Sequence, residues 1–282
     1  GTDVGTYPML LVPGDFTNTS TNFSNVEFVI VDGTLSITKR PVTLTSESDS
    51  KVYDGTALTN GTVNETGDGW ATGEGATYDV TGSQTLVGSS ANAFTYALNT
   101  DTNPDNYDIT KVEGTLTVNP ITDKVTVTIT EHSGTFTYDG TEHTVTGYDV
   151  TSISNPLYFA TDFTFSGTAS VSGTDVGTYP MLLVPGDFTN ISTNFSNVEF
   201  VIVDGTLTIN KRPVTLTSAT DSKVYDGTAL TNHTVDVTGD GWATDEGASY
   251  DVTGSQTVVG SSANAFTYTL NTGTNPDNYD IT

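Results

Sequence analysis

Side chains that could do chemistry are few in this 282-residue chain. Cysteine is absent, which excludes a disulfide framework, a thiolate nucleophile and a cysteine-ligated zinc site. The three histidines, His132, His143 and His233, lie in no nucleophile or metal motif, and the sibling copy of His233 is Gly61. We interpret them as solvated strand or turn residues. The sequence therefore predicts no catalytic residue and a protein that is not an enzyme.

One acidic stretch, DTNPDNYD, spaces oxygen ligands as a calcium loop does. It contains Asp101, Asp105 and Asp108, but Pro104 and the missing glycine and closing Glu depart from an EF-hand. In the second copy of this stretch Gly273 replaces Asp101. We prefer a solvated turn, in which Asn and Asp side chains bond their own backbone. The sequence thus predicts no metal and no cofactor, with calcium at the three aspartates as the alternative.

The only tryptophans, Trp70 and Trp242, lie in two copies of a Gly-rich segment, GDGWATGEGA and GDGWATDEGA. An exposed indole beside acids and amides could stack on a sugar or anchor a protein partner. These residues are the candidate ligand contacts. The competing interpretation is that each Trp caps the core of its module or packs on the next module.

Two further pairs suggest an internal cross-link. Lys51 and Lys223 precede the YDG turn in both copies, and a strand Lys can join an Asn through a buried acid. Gln84 and Gln256 are the only glutamines and hold equivalent positions, which invites a Thr–Gln ester hypothesis. A Lys stem lying along apolar surface explains Lys51 without any cross-link.

These candidate residues belong to a long internal repeat. Residues 1–110 return as residues 173–282 at a constant offset of 172, with 13 substitutions in 110 positions. A fixed period of this kind is the signature of an array protein. The period contains two versions of one plan, since KVYDGTALT and FTYDGTEHT are each followed by a GTLT phrase.

Prolines mark the module edges, at Pro41, Pro120 and Pro213. Proline fixes φ and keeps the preceding residue extended, so we expect short, stiff, end-to-end connections and an elongated rod. The predicted domains are the latter part of a long module at 1–40, a short YDG-type module at 41–119, a long module at 120–212, and a short YDG-type module without its last strand at 213–282.

The local pattern has a period of two. In VTVTIT, Val125, Val127 and Ile129 share one face of a strand and threonines share the other. VEFVIV at Val26 and Val198 is a nearly continuous apolar run, as expected for a central strand. No helical stretch longer than about two turns is indicated. Asp-Gly pairs are predicted to form hairpin-type turns with glycine at positive φ, at 32–33, 54–55, 139–140 and 204–205.

The charge of the chain restricts its partners. It has 34 acidic and eight basic residues, a net charge of −26, and such a surface repels phosphate backbones and anionic lipid. We therefore expect no nucleic-acid partner. No apolar run approaches the length of a membrane span, so we expect no membrane insertion in this segment, which we interpret as an excerpt of a longer protein.

KVYDGT, VGSSANAFTY, NYDIT and the closing GTLTV resemble the YDG and MBG repeats of large bacterial surface proteins. Such repeats occur in filamentous haemagglutinin-like adhesins and in wall-anchored proteins. The resemblance covers essentially the whole chain, and the short modules match it best. It implies a stalk or fibre role outside the cell and no catalytic residues, and because the family includes adhesins it leaves a binding role open.

Together these features predict an all-β tandem array of small immunoglobulin-like antiparallel β-sandwich modules, with a β-grasp-like layout as the alternative. The expected function is a structural stalk at the extracellular surface of a bacterium. Alternatives are an adhesin repeat that binds a host glycan or protein, and a subunit of a self-assembling extracellular filament. The expected partners are neighbouring modules of the same chain, and then other copies or host ligands.

Overall fold

The computed structural model describes residues 1–282 and confirms that the chain is all-β. Its helical content is five single 3₁₀ turns, and none has the length or apolarity of a membrane-crossing helix. These turns are Pro13–Asp15, Pro104–Asn106, Ala160–Asp162, Pro185–Asp187 and Pro276–Asn278.

The chain forms two compact units, and the first comprises Gly1–Thr122 with Thr193–Ser196. Its strands are β1 (Gly5–Pro8), β2 (Thr34–Ile37), β3 (Arg40–Ser46), β4 (Asp49–Val52), β5 (Val63–Gly67), β6 (Ala76–Val80), β7 (Gly88–Asn92), β8 (Phe94–Leu98), β9 (Tyr107–Val112) and β10 (Gly114–Asn119).

The second unit comprises Asp123–Ser192 with Asn197–Thr282. Its strands up to the second short module are β11 (Val125–Glu131), β12 (Gly134–Thr137), β13 (His143–Thr146), β14 (Tyr148–Ile153), β15 (Phe163–Phe165), β16 (Ser170–Gly173), β17 (Gly177–Pro180), β18 (Phe188–Asn190), β19 (Val198–Val203) and β20 (Thr206–Asn210). The remaining strands are β21 (Arg212–Ser218), β22 (Val235–Gly239), β23 (Ala248–Val252), β24 (Phe266–Leu270) and β25 (Tyr279–Ile281).

Strand β11 confirms the period-two prediction. Val125, Val127 and Ile129 are at most 1% exposed, whereas the intervening threonines are partly exposed. Branched side chains fit the pleated inner face of a sheet, and the threonine hydroxyls face water.

The sheets are small and mixed rather than antiparallel throughout. In the first unit the strand orders are β5-β3-β9, β4-β10-β7 and β6-β8, and the pairs β3–β9 and β4–β10 are parallel. In the second unit β11–β19, β12–β20 and β21–β25 are parallel. Parallel partners need a long connection, and each of these pairs is joined through about 60 residues or more of intervening chain.

Two predictions about local structure need correction. VEFVIV at 198–203 forms β19, an edge strand beside β11 rather than a central strand, and the same letters at 26–31 form no strand. The reason is pairing, because β19 holds its extended form through the ladder to β11 and residues 26–31 have no such ladder.

The Asp-Gly turns also differ from the prediction. Gly55 and Gly140 take positive φ in turns, but the strands flanking them pair with other strands, so the turns do not close hairpins. Gly33 and Gly205 do not take positive φ. Gly205 is instead required by crowding, since a Cβ there would lie 2.3 Å from the carbonyl oxygen of His132.

The first short module has two thin apolar cores, to which aromatic residues contribute. In the first short module, one core contains Val42, Leu44, Phe94 and Tyr107. A second core contains Leu58, Leu116 and Val118, with Tyr53 and Val87 packed against it.

Candidate intermodule junctions

The tryptophans predicted as ligand contacts are half-buried against core aromatics. Trp70 packs edge to face on Tyr107, and Trp242 packs the same way on Tyr279, with ring centroids 4.9 Å apart in both pairs. The Trp242 Nε1–H also donates to the Tyr250 hydroxyl at 3.0 Å. Both indoles are thus engaged inside their own modules.

The lysines predicted as cross-link donors hold the YDG turns. Lys51 Nζ donates to Asp54 Oδ1 at 2.7 Å and to Thr56 Oγ1 at 2.8 Å. Hydrogen bonds from Lys51 and Thr56 hold the pKa of Asp54 well below its ordinary value. Lys223 repeats this arrangement with Asp226, where the Thr228 backbone N–H and Lys223 lower the carboxyl pKa to about 2.

The glutamines are bonded within their own loops. Gln84 Nε2 donates to the Leu86 carbonyl at 2.7 Å, and Gln256 Nε2 donates to the Val258 carbonyl at 2.7 Å. Neither amide is oriented by a hydrogen bond to a threonine hydroxyl.

The three aspartates predicted as calcium candidates are exposed and do not converge. Asn103 Oδ1 accepts the Asp105 backbone N–H at 3.1 Å and begins a 3₁₀ turn there. No group of three or more acidic or histidine side chains in residues 1–282 is placed to share a metal ion. Calcium at Asp101, Asp105 and Asp108 therefore stays an untested alternative without a geometric basis.

The histidines with partners make local contacts. His132 Nδ1 lies 2.8 Å from the Thr146 carbonyl oxygen, and the His143 ring stacks on Phe136 at 4.4 Å. His143 Nε2 lies 3.1 Å from Asp139 Oδ1. Neither histidine contacts a hydroxyl that it could activate as a nucleophile.

A polar contact that no sequence motif indicated ties a long-module segment to the next short module. In the first unit Asn106 Oδ1 accepts the Val4 backbone N–H at 2.8 Å, and Asn106 Nδ2 donates to Asp3 Oδ1 at 2.9 Å. We call this arrangement the asparagine clasp.

The second unit repeats the clasp at the same offset of 172. Asn278 Oδ1 accepts the Val176 backbone N–H at 2.9 Å, and Asn278 Nδ2 donates to Asp175 Oδ1 at 2.8 Å. Asn278 is 1% exposed. The signal in the sequence is the unchanged NPDN in both copies, from which the sequence predicts a turn, with calcium as the alternative, but no contact between modules.

An aromatic contact accompanies the clasp in the second unit. Tyr138, the tyrosine of the long module's YDG turn, is 4% exposed and bonds through its hydroxyl to Glu246 Oε1 in the short module. Tyr279 donates to the other oxygen of Glu246 at 2.7 Å, and Arg212 Nη1 donates to the Tyr138 carbonyl at 3.3 Å. Burial, together with the bond to Glu246, raises the pKa of Tyr138 to about 12.

The cores beside the junctions also contain a buried polar group. Glu131 is 3% exposed, and its two carboxylate oxygens accept the backbone N–H groups of Leu183 at 2.6 Å and Gly205 at 2.7 Å. In the first short module the buried Ser46 accepts the Gly114 N–H at 2.9 Å and donates to the Asn92 carbonyl. Each group fixes a closing strand in its module.

The fold and the repeated clasp define a tandem-repeat β-protein whose ordered polar contacts join modules. Residues 124–211 match the family model of the MBG domain, which confirms the resemblance inferred from sequence motifs. The match falls on the long module rather than on the short modules that carry KVYDGT. MBG domains are a non-catalytic repeat family, and the match indicates a surface-protein repeat. A search of curated proteins finds no match.

Proposed function

We propose that this chain is a non-enzymatic stalk or fibre segment of an extracellular bacterial surface protein. The observation that supports the proposal is the asparagine clasp, which recurs with the same partners at Asn106 and Asn278. A repeat protein of this kind gains stability from the modules themselves and from contacts between neighbours. A junction that repeats in phase with the sequence lets an array lengthen by whole units.

The acidic composition of the chain supports a role as a spacer. The net charge of −26 keeps an extended chain soluble and discourages unspecific association with anionic surfaces. The tryptophans offered as ligand contacts are engaged by Tyr107 and Tyr279 inside their modules. These contacts favour the stalk over the adhesin alternative.

Small-angle X-ray scattering of a length series tests the stalk. Thr282 corresponds to Thr110, so appending residues 111–282 once or twice extends the repeat in phase. We expect the maximum dimension to grow by the same increment with each unit. The double variant Asn106→Ala/Asn278→Ala should broaden the distance distribution, and Asn22→Ala, at an exposed site, serves as its control.

A maximum dimension that grows only as the cube root of mass would contradict the stalk.

Location is tested separately with antibodies against the chain, applied to intact and to lysed cells of the source bacterium. Labelling of intact cells supports an extracellular role, and labelling confined to lysed cells overturns it.

A further inference from the structure

The junction from the first short module to the long module repeats one bond of the asparagine clasp. The Val87 backbone N–H of the short module donates to Asn194 Oδ1 of the long module at 3.0 Å. Val176 and Asn278 make the same bond at 2.9 Å, where the long module meets the second short module. By sequence Thr193–Ser196 are part of the long module, but they belong to the same compact unit as the first short module. The bond therefore joins one module to the next in both cases.

A pair of aromatic rings accompanies each of these bonds. Tyr53, the tyrosine of the first YDG turn, packs edge to face on Phe195, with ring centroids 5.9 Å apart and ring planes at 79°. Tyr138 and Tyr279 meet in the same way, at 5.5 Å and 81°. Phe195 and Tyr279 each follow directly after the asparagine of the hydrogen bond, and each is 2% exposed. The following module thus contributes an adjacent Asn-aromatic pair at both junctions.

The other half of each contact comes from two phrases that both module types share. Val87 and Val176 begin the Val-Gly pairs of LVGSS and TDVGTYP, and Tyr53 and Tyr138 begin the YDG turns. We call the backbone N–H of this valine and the ring of this tyrosine the socket of a module. The short and the long module present the same two groups, although the rest of their sequences has diverged.

The connection between modules has the same length at both junctions. The N–H of each socket tyrosine donates to the last residue of its own closing strand, at 2.8 Å to the Asn119 carbonyl and at 2.9 Å to the Asn210 carbonyl. Two residues after that asparagine, the chain pairs in parallel with the aromatic residue of the following module. These pairs are Ile121–Phe195 and Arg212–Tyr279. Because the spacing is the same, the aromatic residue reaches the socket in the same way at both junctions.

Contacts outside the socket differ between the two junctions. Asn278 Nδ2 also donates to Asp175, whereas Leu86 holds the position equivalent to Asp175 in the first short module. Tyr279 carries a hydroxyl that Phe195 lacks. The shared contacts are therefore the bond from the valine N–H to the asparagine and the edge-to-face rings.

We propose that the socket is a general docking surface for the Asn-aromatic pair of the following module, whether that module is short or long. One amide oxygen accepts the valine N–H, and one aromatic ring packs on the tyrosine. A short module should therefore also dock on a short module, with Asn106 and Tyr107 on Val87 and Tyr53. This inference rests on the proposed array function, but it is tested by amide exchange rather than by length or location.

Hydrogen exchange of the 282-residue chain, resolved to single amides by NMR, tests the polar half of the socket. We expect Asn194→Ala to speed exchange of the Val87 amide by about tenfold or more, because this amide loses its acceptor. Asn278→Ala should do the same for the Val176 amide. Asn22→Ala, at an exposed site, should change neither amide. Unchanged exchange at Val87 in Asn194→Ala overturns the proposal.

The same measurement tests the aromatic half. Tyr53→Ala should speed exchange at Val87, whereas Tyr53→Phe keeps the ring and should not. The Leu44 amide in the central strand β3 reports whether the short module stays folded, and it should exchange at the parent rate. Exchange at Val87 that is the same in Tyr53→Ala as in the parent overturns the proposal. If Tyr53→Ala also speeds exchange at Leu44, the variant has unfolded the module, and a rearranged chain that removes no contact decides.

That chain tests whether the socket accepts either type of module. A second copy of residues 39–119, inserted after Asn119, places a short module behind a short module and keeps the two-residue spacing to Arg40, which pairs with the aromatic residue. Peptides that contain Val87 then derive from both copies, and their exchange is followed by mass spectrometry. We expect one slowly exchanging population, because both sockets are occupied. Two equal populations, one of them exchanging as fast as in Asn194→Ala, overturn the proposal and leave the stalk untouched.

Discussion

Tyr138 and Tyr279 meet edge to face, with ring centroids 5.5 Å apart and ring planes at 81°, and both bond to the carboxylate of Glu246. Tyr138 belongs to the YDG turn of the long module, and Tyr279 belongs to the NYDIT strand of the short module. The tyrosine of this turn is therefore a junction residue in the second unit. In the first short module the copy of Tyr279 is Tyr107, which makes the equivalent bond by donating to Glu74 at 2.6 Å.

We expect the same Asn-to-Ala substitution to lower the free energy of unfolding by different amounts in the two clasps. Asn278→Ala removes two hydrogen bonds at a 1% exposed site, so we expect it to lower the free energy of unfolding of the second unit by about 1–3 kcal/mol. Asn106→Ala removes the equivalent bonds at a half-buried site and should cost less. Urea unfolding is measured on single-tryptophan variants. Trp70 fluorescence reports the unfolding of the first unit, and Trp242 fluorescence reports that of the second. Equal effects would show that burial of the clasp does not control its strength.

We expect substitutions of the buried Glu131 to lower the free energy of unfolding by amounts that depend on how many hydrogen-bond acceptors they remove. Glu131→Ala leaves the N–H groups of Leu183 and Gly205 without acceptors, and should cost about 2–4 kcal/mol. Glu131→Gln keeps one acceptor oxygen and should cost less than Glu131→Ala. Glu142→Ala, at an exposed position, should be nearly neutral in the same thermal or urea unfolding. A Glu131→Ala chain as stable as its parent would contradict this role.

The junction tyrosines predict a loss of stability at alkaline pH. Burial and the bond to Glu246 raise the pKa of Tyr138 to about 12, above its ordinary value near 10. The folded state then holds this proton more tightly than the unfolded state does, so its contribution is complete below about pH 10 and is lost as the pH rises toward 12. Tyr138→Phe should flatten the pH dependence of the unfolding midpoint over that range. An unchanged slope would show that Tyr138 does not titrate with unfolding.

The tryptophan contacts predict protected fluorescence. Because Trp70 and Trp242 pack on Tyr107 and Tyr279, emission should be blue-shifted relative to the urea-unfolded chain and less accessible to acrylamide. Addition of glycans should leave the spectrum unchanged. Quenching as efficient as in the unfolded chain, or a spectral shift on adding a glycan, would instead support the ligand-contact hypothesis.

Much of the fold followed from local sequence. The alternation in VTVTIT predicted β11, and the repeat predicted that the clasp region of the first unit would have a copy 172 residues later, although the clasp itself was not foreseen. These features depend on residues that are neighbours along the chain or identical between copies. Backbone geometry and the alternation of side chains between the two faces of a strand are determined by residues that are close in sequence.

Pairing and junction contacts could not be predicted in the same way. Asp3 and Asn106 are 103 residues apart, and Tyr138 and Glu246 are 108 residues apart, so no local pattern relates them. The parallel ladders between β3 and β9 also join segments that are distant in sequence. Only the packed structure shows which of several similar strands supplies the partner.

The amino-acid sequence by itself determined the β character, the repeat and its phase, and the acidic surface, because each is a property of residue types and their spacing. The tertiary structure decided which strands pair with one another, and which turn residues become junctions. VEFVIV at 198–203, for example, lies beside β11 at the edge of its sheet. An extended segment is stable only when another strand satisfies its backbone hydrogen bonds and covers its apolar face, and that partner is chosen in three dimensions.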